Sequence, residues 1–292
     1  MVMGVVTFTL VFLIAVAFFI FSTHVATTVG KGIVDPKLID DALVFGALAG
    51  AITWNIITWR LGIPSSSSHA LIGGIVGAGI AKAGLSAIQW SGLSKTIYAI
   101  VLSPFTGFLL AMLLMLLVSW LFVRANPSFA DSLFRKLQLI SAALYSLGHG
   151  SNDAQKTAGI ISVLLFSHGM YAEFTVPAWV IISCYTVMGL GTLMGGWRIV
   201  HTMGSKITRL TPTQGACAET AGAITLFMAT YLGVPVSTTH TITGAIVGVG
   251  SARRVSAVRW NVATIIVYAW VITLPAAGIM AALFYWLAYF VL

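Results

Sequence analysis

The sequence predicts an all-α integral membrane protein, a polytopic helical bundle with inverted repeats and two re-entrant helical hairpins. Its composition, its long apolar segments and one duplicated motif support this fold class. Hydrophobic residues make up 59% of the 292 residues, charged residues make up 8%, and the mean hydropathy is +1.00. A soluble domain carries about 25% charged residues, so lipid must solvate most of this exterior. We expect a multi-pass protein of a prokaryotic inner (plasma) membrane.

Five apolar segments are long enough to cross a membrane, which takes about 20 residues. They are residues 5–23, 96–123, 138–166, 177–200 and 261–291. Basic residues concentrate in short loops between these segments, and such loops face the cytoplasm. The predicted cytoplasmic loops are residues 124–136, 198–209 and 253–259.

Two further apolar regions, residues 38–81 and 214–250, are each interrupted by a proline and a hydroxyl cluster. With the loops placed as above, 214–250 begins and ends inside, whereas 38–81 begins and ends outside. The sequence therefore predicts two hairpins that enter the membrane from opposite faces. It divides into a first repeat over 1–123, a cytoplasmic linker over 124–137 and a second, inverted repeat over 138–292.

The two interrupted regions are copies of each other. Residues 61–79 read LGIPSSSSHALIGGIVGAG and residues 232–250 read LGVPVSTTHTITGAIVGVG, identical at ten of nineteen positions with an offset of 171. Inverted repeats with broken helices are how many secondary carriers build a site near the membrane midplane. The duplication predicts a carrier of this kind.

The hydroxyl clusters after the two prolines are candidate anion ligands. Pro64 and Pro235 suit the first turn of a helix, and the hydroxyls that follow them can cap it. A helix start offers free amide hydrogens and a partial positive charge, which bind anions such as phosphate. The alternative is that the hydroxyls only form hydrogen bonds to helix backbone groups within the lipid. The candidate residues are Ser66, Ser67, Ser68, Ser237, Thr238 and Thr239.

Ionisable residues inside apolar segments are the second group of candidates. Asp153 lies within a predicted span, where an ionised carboxylate is functional by default, and Glu219 is a candidate second ion or proton site. Lys156 lies on the same helix face as Asp153, so a purely structural ion pair is the alternative. His69 and His240 occupy equivalent repeat positions; we interpret them as packing residues, with proton coupling left open.

Several classes of protein are excluded by the same sequence. The net charge of +8 forms no basic stripe with interleaved aromatics, so no nucleic-acid partner is expected. Neither a nucleotide motif nor an enzyme signature is present, and the two cysteines indicate neither a disulfide framework nor a metal site. We expect membrane lipid as a partner, no cofactor and no catalytic residues.

Three motifs resemble the inorganic phosphate transporter (PiT) family of secondary carriers. They are GSNDAQK at 150–156, PSSSSH at 64–69 and PVSTTH at 235–240, and the resemblance extends over essentially the whole chain. It implies a symporter that moves inorganic phosphate with sodium or protons. It also implies that Asn152 and Asp153 belong to the ion and substrate site, and that the six hydroxyl residues above coordinate phosphate.

Two departures from the family pattern bear on function. The family carries the Asn-Asp motif once per repeat and this chain has it once; the offset of 171 places the other copy before residue 1, so the first repeat is expected to be N-terminally incomplete. Many sodium-coupled relatives have Asn where this chain has Lys156. An ammonium cannot ligate a cation, so we predict coupling to H⁺ through Asp153, Lys156 and Glu219, unless Lys156 snorkels away.

Other functional interpretations remain open at this point. If coupling uses Na⁺ instead, Asn152 and Asp153 are its ligands. The same fold could carry sulfate or another oxyanion, because helix starts and hydroxyls distinguish tetrahedral anions poorly. A truncated remnant without transport, or an assembly subunit, is the alternative from another class. A homo-oligomer is also left open.

Overall fold

The computed structural model describes residues 23–193 and 196–291, and that part of the chain is almost entirely helical. Most of the predicted span 5–23 lies outside the described residues. The described part contains one isolated β-bridge, Val34 to Ile88, and no strand. The α-helices are α1 His24–Gly32, α2 Asp41–Leu61, α3 Ser67–Ala83, α4 Trp90–Leu121, α5 Pro127–Ser167, α6 Ala178–Leu193, α7 Trp197–His201, α8 Pro212–Tyr231, α9 Thr238–Arg253 and α10 Trp260–Val291.

The two interrupted regions form helical hairpins, the first from α2 and α3 and the second from α8 and α9. Both first helices end in the same way, at a glycine in the left-handed conformation, Gly62 (φ 67°) and Gly233 (φ 69°). After Gly62, the Ile63 amide bonds to the Thr58 carbonyl at 2.9 Å; after Gly233, the Val234 amide bonds to the Ala229 carbonyl at 2.8 Å. This Schellman ending satisfies helix carbonyls that would otherwise be unpaired in an apolar environment.

The internal repeat extends beyond the hairpins, because further features recur at the offset of 171. α3 begins at residue 67 and α9 at residue 238; short 3₁₀-helices begin at residues 84 and 255. The 32-residue helices α4 and α10 contain Pro104 and Pro275 respectively. α5 has no counterpart within the described residues.

Each hairpin packs against the long helix of the other repeat. α3 lies along α10 in parallel, with a Cβ built on Gly77 only 2.1 Å from the Gly278 carbonyl oxygen. The equivalent contact joins α9 and α4, where a Cβ on Gly248 would be 2.3 Å from the Phe108 carbonyl oxygen. Small residues allow membrane helices to approach this closely. The two repeats are therefore intertwined.

The tips of the hairpins meet in the interior of the bundle. The His69 ring nitrogen Nδ1 lies 3.4 Å from the Trp270 carbonyl oxygen, and His240 and Ile100 line the same cavity. Trp270 and Ile100 are each ten residues past the start of their long helix, or roughly 15 Å along it. The tips therefore lie well away from either end of the bundle. That each hairpin enters and leaves through one membrane face stays a prediction.

The outer surface of the long helices is apolar. Leu102 of α4 is 60% exposed and Leu283 of α10 is 65% exposed, whereas the buried residues include many serines and threonines. Among the described helices, α2, residues 67–87, α4 and α10 are long and apolar enough to cross a membrane. Several long helices with apolar outer surfaces confirm an integral, multi-pass membrane protein.

The predicted cytoplasmic linker 124–137 is mostly helix, so its description as a loop is wrong. α5 begins at Pro127, directly after Asn126, whose side chain accepts from the Ser128 amide at 2.9 Å. An Asn cap followed by Pro at the first helical position is a helix start signal. Arg135 therefore lies on α5, where it pairs with Asp131 at 2.8 Å.

The sequence predicts that the prolines at the hairpin tips begin the second helix of each hairpin. This prediction is wrong. Pro64 and Pro235 precede the capping residues Ser66 and Ser237 by two positions. The prolines instead follow the Schellman endings and prevent the first helices from continuing. The predicted span 177–200 is also divided, into α6 and α7.

The glycine contact between α3 and α10 gives a test of the packing. Gly77→Val places a branched side chain against the backbone of α10, and we expect overpacking to destabilise the protein by about 1–3 kcal/mol. The matched control is Gly191→Val in α6, where an added Cβ meets nothing within 4 Å. Thermal unfolding of the purified chain in detergent should show a lower midpoint for Gly77→Val alone. Equal midpoints for the two variants would contradict the intertwined packing.

Candidate functional site

One face of α5 carries polar side chains toward the tip of the second hairpin. Apart from the adjacent Asn152 and Asp153, successive residues of the set are three or four positions apart, so they form a single stripe along the helix. Within the stripe, the Tyr145 hydroxyl donates to the Thr238 carbonyl at 3.1 Å, and His149 Nε2 lies 3.5 Å from Asp153 Oδ2. The stripe consists of Tyr145, His149, Asn152, Asp153 and Lys156.

Lys156 connects α5 to both hairpin tips. Its ammonium donates three hydrogen bonds of 2.6 Å, to Asp153 Oδ1, Ser68 Oγ and the Val236 carbonyl oxygen. An ammonium has three donors, so all of them are satisfied by protein. The residue is 2% exposed, and the alternative in which Lys156 snorkels to an interface is therefore wrong.

Asp153 lies between Lys156 and the start of α9. Its second carboxylate oxygen, Oδ2, accepts from the Thr238 hydroxyl at 3.1 Å. The carboxylate thus has a charged partner on one oxygen and a hydroxyl donor on the other. Such pairing offsets the several kcal/mol that an ionised group costs in a membrane interior.

Asn152 holds the non-helical part of the second hairpin. Its amide nitrogen donates to Thr230 Oγ1 at 3.1 Å and to the Val234 carbonyl at 3.4 Å, and its oxygen accepts from the Val236 amide at 3.4 Å. The broken helix leaves backbone groups that need partners in an apolar environment. The structure therefore engages Asn152, a predicted phosphate ligand, in supporting the tip.

The six predicted phosphate-binding hydroxyls have three different environments. Two cap their helices: Ser66 Oγ accepts from the His69 amide, and Ser237 Oγ accepts from the His240 amide, each at 3.2 Å. Two others contact the ion pair, since Ser68 bonds to Lys156 and Thr238 bonds to Asp153. The remaining two, Ser67 and Thr239, make no side-chain hydrogen bond to the described residues, and Ser67 is exposed.

A pair of histidines packs beside this site. The rings of His69 and His240 are 4.2 Å apart and nearly perpendicular, and His240 stacks on Trp270 at 3.6 Å. These contacts fit the interpretation of both histidines as packing residues.

Glu219, the predicted second ion or proton site, is separate from Asp153. It lies on α8, where its Oε2 accepts from the Ser141 hydroxyl at 2.6 Å. Glu219 has no ion pair with a basic residue in the described part of the chain. Its partner Ser141 lies on α5 about three turns before Asp153.

Sequence reasoning missed several groups that complete the site. His149 and Tyr145 lie four and eight residues before Asp153, so helical periodicity could have found them. Thr230 and the Val236 carbonyl carry no such signal, because only the folded hairpin brings them to α5. Within residues 23–193 and 196–291, no group of three His, Cys, Asp or Glu residues is placed to hold a metal ion.

Comparisons with known proteins identify the family. The chain matches the Phosphate transporter family over residues 2–132 and 123–281. The chain belongs to this phosphate transporter family. The membership confirms the resemblance drawn from the three motifs, and it confirms that the chain belongs to a class of transporters, not enzymes. The expectation that the first repeat lacks its own copy of the Asn-Asp motif stays a prediction.

Two related proteins of the phosphate transporter family come from bacteria. A "probable low-affinity inorganic phosphate transporter" of Rhizobium meliloti (strain 1021) is 67% identical over 274 residues, covering 94% of this chain and 82% of the relative. One of the same name from Bacillus subtilis (strain 168) is 44% identical over 273 residues, covering 92% and 81%. A solved structure titled "The sodium-dependent phosphate transporter" matches with a TM-score of 0.84 at 23% identity, covering 98% of this chain and 90% of that one. This likeness confirms the fold.

A double-mutant cycle tests the buried ion pair between Asp153 and Lys156. Asp153→Asn leaves the Lys156 ammonium without its counter-charge, and Lys156→Met leaves the carboxylate without one. Removal of one partner of a buried pair costs about 3–5 kcal/mol. We expect each single variant to lower the thermal midpoint in detergent, and Asp153→Asn/Lys156→Met to recover most of the loss. Additive losses in the double variant would contradict a direct pair.

Proposed function

We propose that the chain is a symporter of inorganic phosphate coupled to protons. One observation carries the choice of ion: the Lys156 ammonium forms 2.6 Å hydrogen bonds to Asp153, Ser68 and the Val236 carbonyl. A carboxylate, a hydroxyl and a backbone carbonyl are also the oxygen ligands that a bound Na⁺ would take. In this chain a fixed positive charge fills that position.

Sodium coupling is disfavoured at this position on electrostatic grounds. A cation a few Å from an ammonium is repelled, and the repulsion is strong where the dielectric constant is low. Lys156 could make room only by leaving three acceptors that the protein already supplies. We propose that a proton is carried instead by one of the two carboxylates in the polar interior, Asp153 or Glu219.

The proposed phosphate site uses the hydroxyls that the ion pair does not occupy. By the offset of 171, Ser67 corresponds to Thr238 and Ser68 corresponds to Thr239. Thr238 and Ser68 contact the Asp153–Lys156 pair on one side of the crossing tips. Their counterparts Ser67 and Thr239, together with the starts of α3 and α9, are proposed to donate to phosphate on the other side.

Sulfate is the second candidate substrate, because the same donors would accept any tetrahedral oxyanion. The phosphate transporter family and the names of its bacterial relatives favour phosphate. The proposed location is a prokaryotic inner membrane, with the loop before Pro127 and the arginines at 253–259 on the cytoplasmic side.

Uptake of labelled phosphate into vesicles that contain the chain tests this proposal. We expect uptake to rise with an inward proton gradient and to be unchanged when sodium is replaced by choline. An excess of sulfate should not compete. Ser67→Ala/Thr239→Val removes the two proposed donors and should reduce uptake at least tenfold. The control is Ser94→Ala, an exposed serine that bonds only to its own helix at the Ser91 carbonyl.

The outcomes separate the parts of the proposal. Strict dependence on sodium would contradict proton coupling but leave the phosphate site intact. Competition by sulfate at equal concentration would make the chain a general oxyanion carrier. Full activity of the Ser67→Ala/Thr239→Val variant would contradict the assigned donors. Absence of all uptake in a correctly inserted chain would favour a non-transporting subunit.

A further inference from the structure

A polar pocket lies at the end of the bundle where α9 ends and α10 begins, far from the hairpin tips. Its volume is about 410 Å³. Four arginines from two separate segments line it, together with neutral hydrogen-bonding side chains. The residues used below are Arg209, Arg253, Arg254, Arg259, Thr208 and Gln214.

The pocket is held in shape by hydrogen bonds between its walls. The Arg259 amide donates to the Ile207 carbonyl at 2.9 Å, and the Thr208 hydroxyl donates to the Ala257 carbonyl at 3.1 Å. These two bonds join the segment before α8 to the segment before α10. The walls are therefore fixed relative to each other, so the arginines share one concave surface.

The charge of the pocket is not balanced by carboxylates. In the described part of the chain, none of the four arginines forms a salt bridge to an acidic side chain. Like charges this close repel one another, so a bound anion would be stabilising. The equivalent position at the other end of the bundle differs: Lys82, which corresponds to Arg253, is paired with Asp40.

Apolar side chains adjoin the arginines. Val255 is 63% exposed and Trp260 is 47% exposed, and the Trp260 indole donates to the Val255 carbonyl at 3.0 Å. Tryptophan is enriched at the boundary between lipid and water. A charged pocket beside exposed apolar surface has the amphipathic character of a lipid molecule. A small soluble anion would use only the charged part.

We propose that this pocket binds the phosphate headgroup of an anionic membrane lipid, with the acyl chains lying beside Trp260 and the apolar face of α10. Arginine recognises phosphate through paired N–H donors in a fixed geometry, and basic pockets between membrane helices on the cytoplasmic side bind such headgroups. This site is independent of the proposed transport function, because it shares no residue with the hairpin tips.

Lipid binding to the purified chain in detergent tests the proposal by native mass spectrometry. The probes are phosphatidylglycerol and phosphatidylcholine, titrated separately. We expect phosphatidylglycerol to bind at least tenfold more tightly. Arg254→Gln/Arg259→Gln should abolish that preference. The control, Arg124→Gln/Lys136→Gln, removes the same charge from another exposed basic segment and should keep the preference.

Three results would overturn the proposed lipid site. Equal binding of the two lipids by the unaltered chain would do so without any variant, even if the arginine variants failed to fold. Loss of the preference in the control variant would mean that general basic charge attracts the lipid. Displacement of phosphatidylglycerol by millimolar inorganic phosphate would assign the pocket to a free anion.

Discussion

The centre of this structure depends on the three hydrogen bonds that the buried Lys156 ammonium donates. A lysine that is 2% exposed among membrane helices must find a counter-charge and partners for three donors, since an unpaired charge there is very costly. It finds them on α5 and on both hairpins. The tips are thereby joined to α5 at one point, and the offset repeat supplies the two tips that make this possible.

The break between α8 and α9 provides a backbone acceptor for Lys156 and also leaves backbone groups that need other hydrogen-bond partners. The Schellman ending at Gly233, followed by Pro235, leaves a short extended segment whose Val236 carbonyl is free to accept from Lys156. The same segment leaves other backbone groups without helical partners, and Asn152 hydrogen-bonds to the Val234 carbonyl and the Val236 amide. The two residues of the Asn-Asp motif thus have different contacts: Asn152 holds the tip of the second hairpin, whereas Asp153 balances the charge of Lys156.

Much of the fold was predictable because membrane helices leave strong signals. The long apolar segments, the repeat at an offset of 171 and the helix breaks after Gly62 and Gly233 all follow from local residue chemistry. The start of α5 differs from the prediction, because the basic residues of 124–136 indicate a loop whereas the Asn-Pro pair at 126–127 begins a helix. At the site, sequence placed Asp153 beside Lys156 correctly but could not separate capping from free hydroxyls. That distinction depends on how the two tips cross.

The proposal of proton coupling rests on the three oxygen acceptors that hold the Lys156 ammonium. The most direct measurement is an experimental structure of the chain determined with phosphate and sodium both present. The account predicts Lys156 Nζ within hydrogen-bonding distance of Asp153, Ser68 and the Val236 carbonyl, and an anion against Ser67 and Thr239. A sodium ion coordinated by Asp153 and the Val236 carbonyl, with Lys156 displaced, would contradict it.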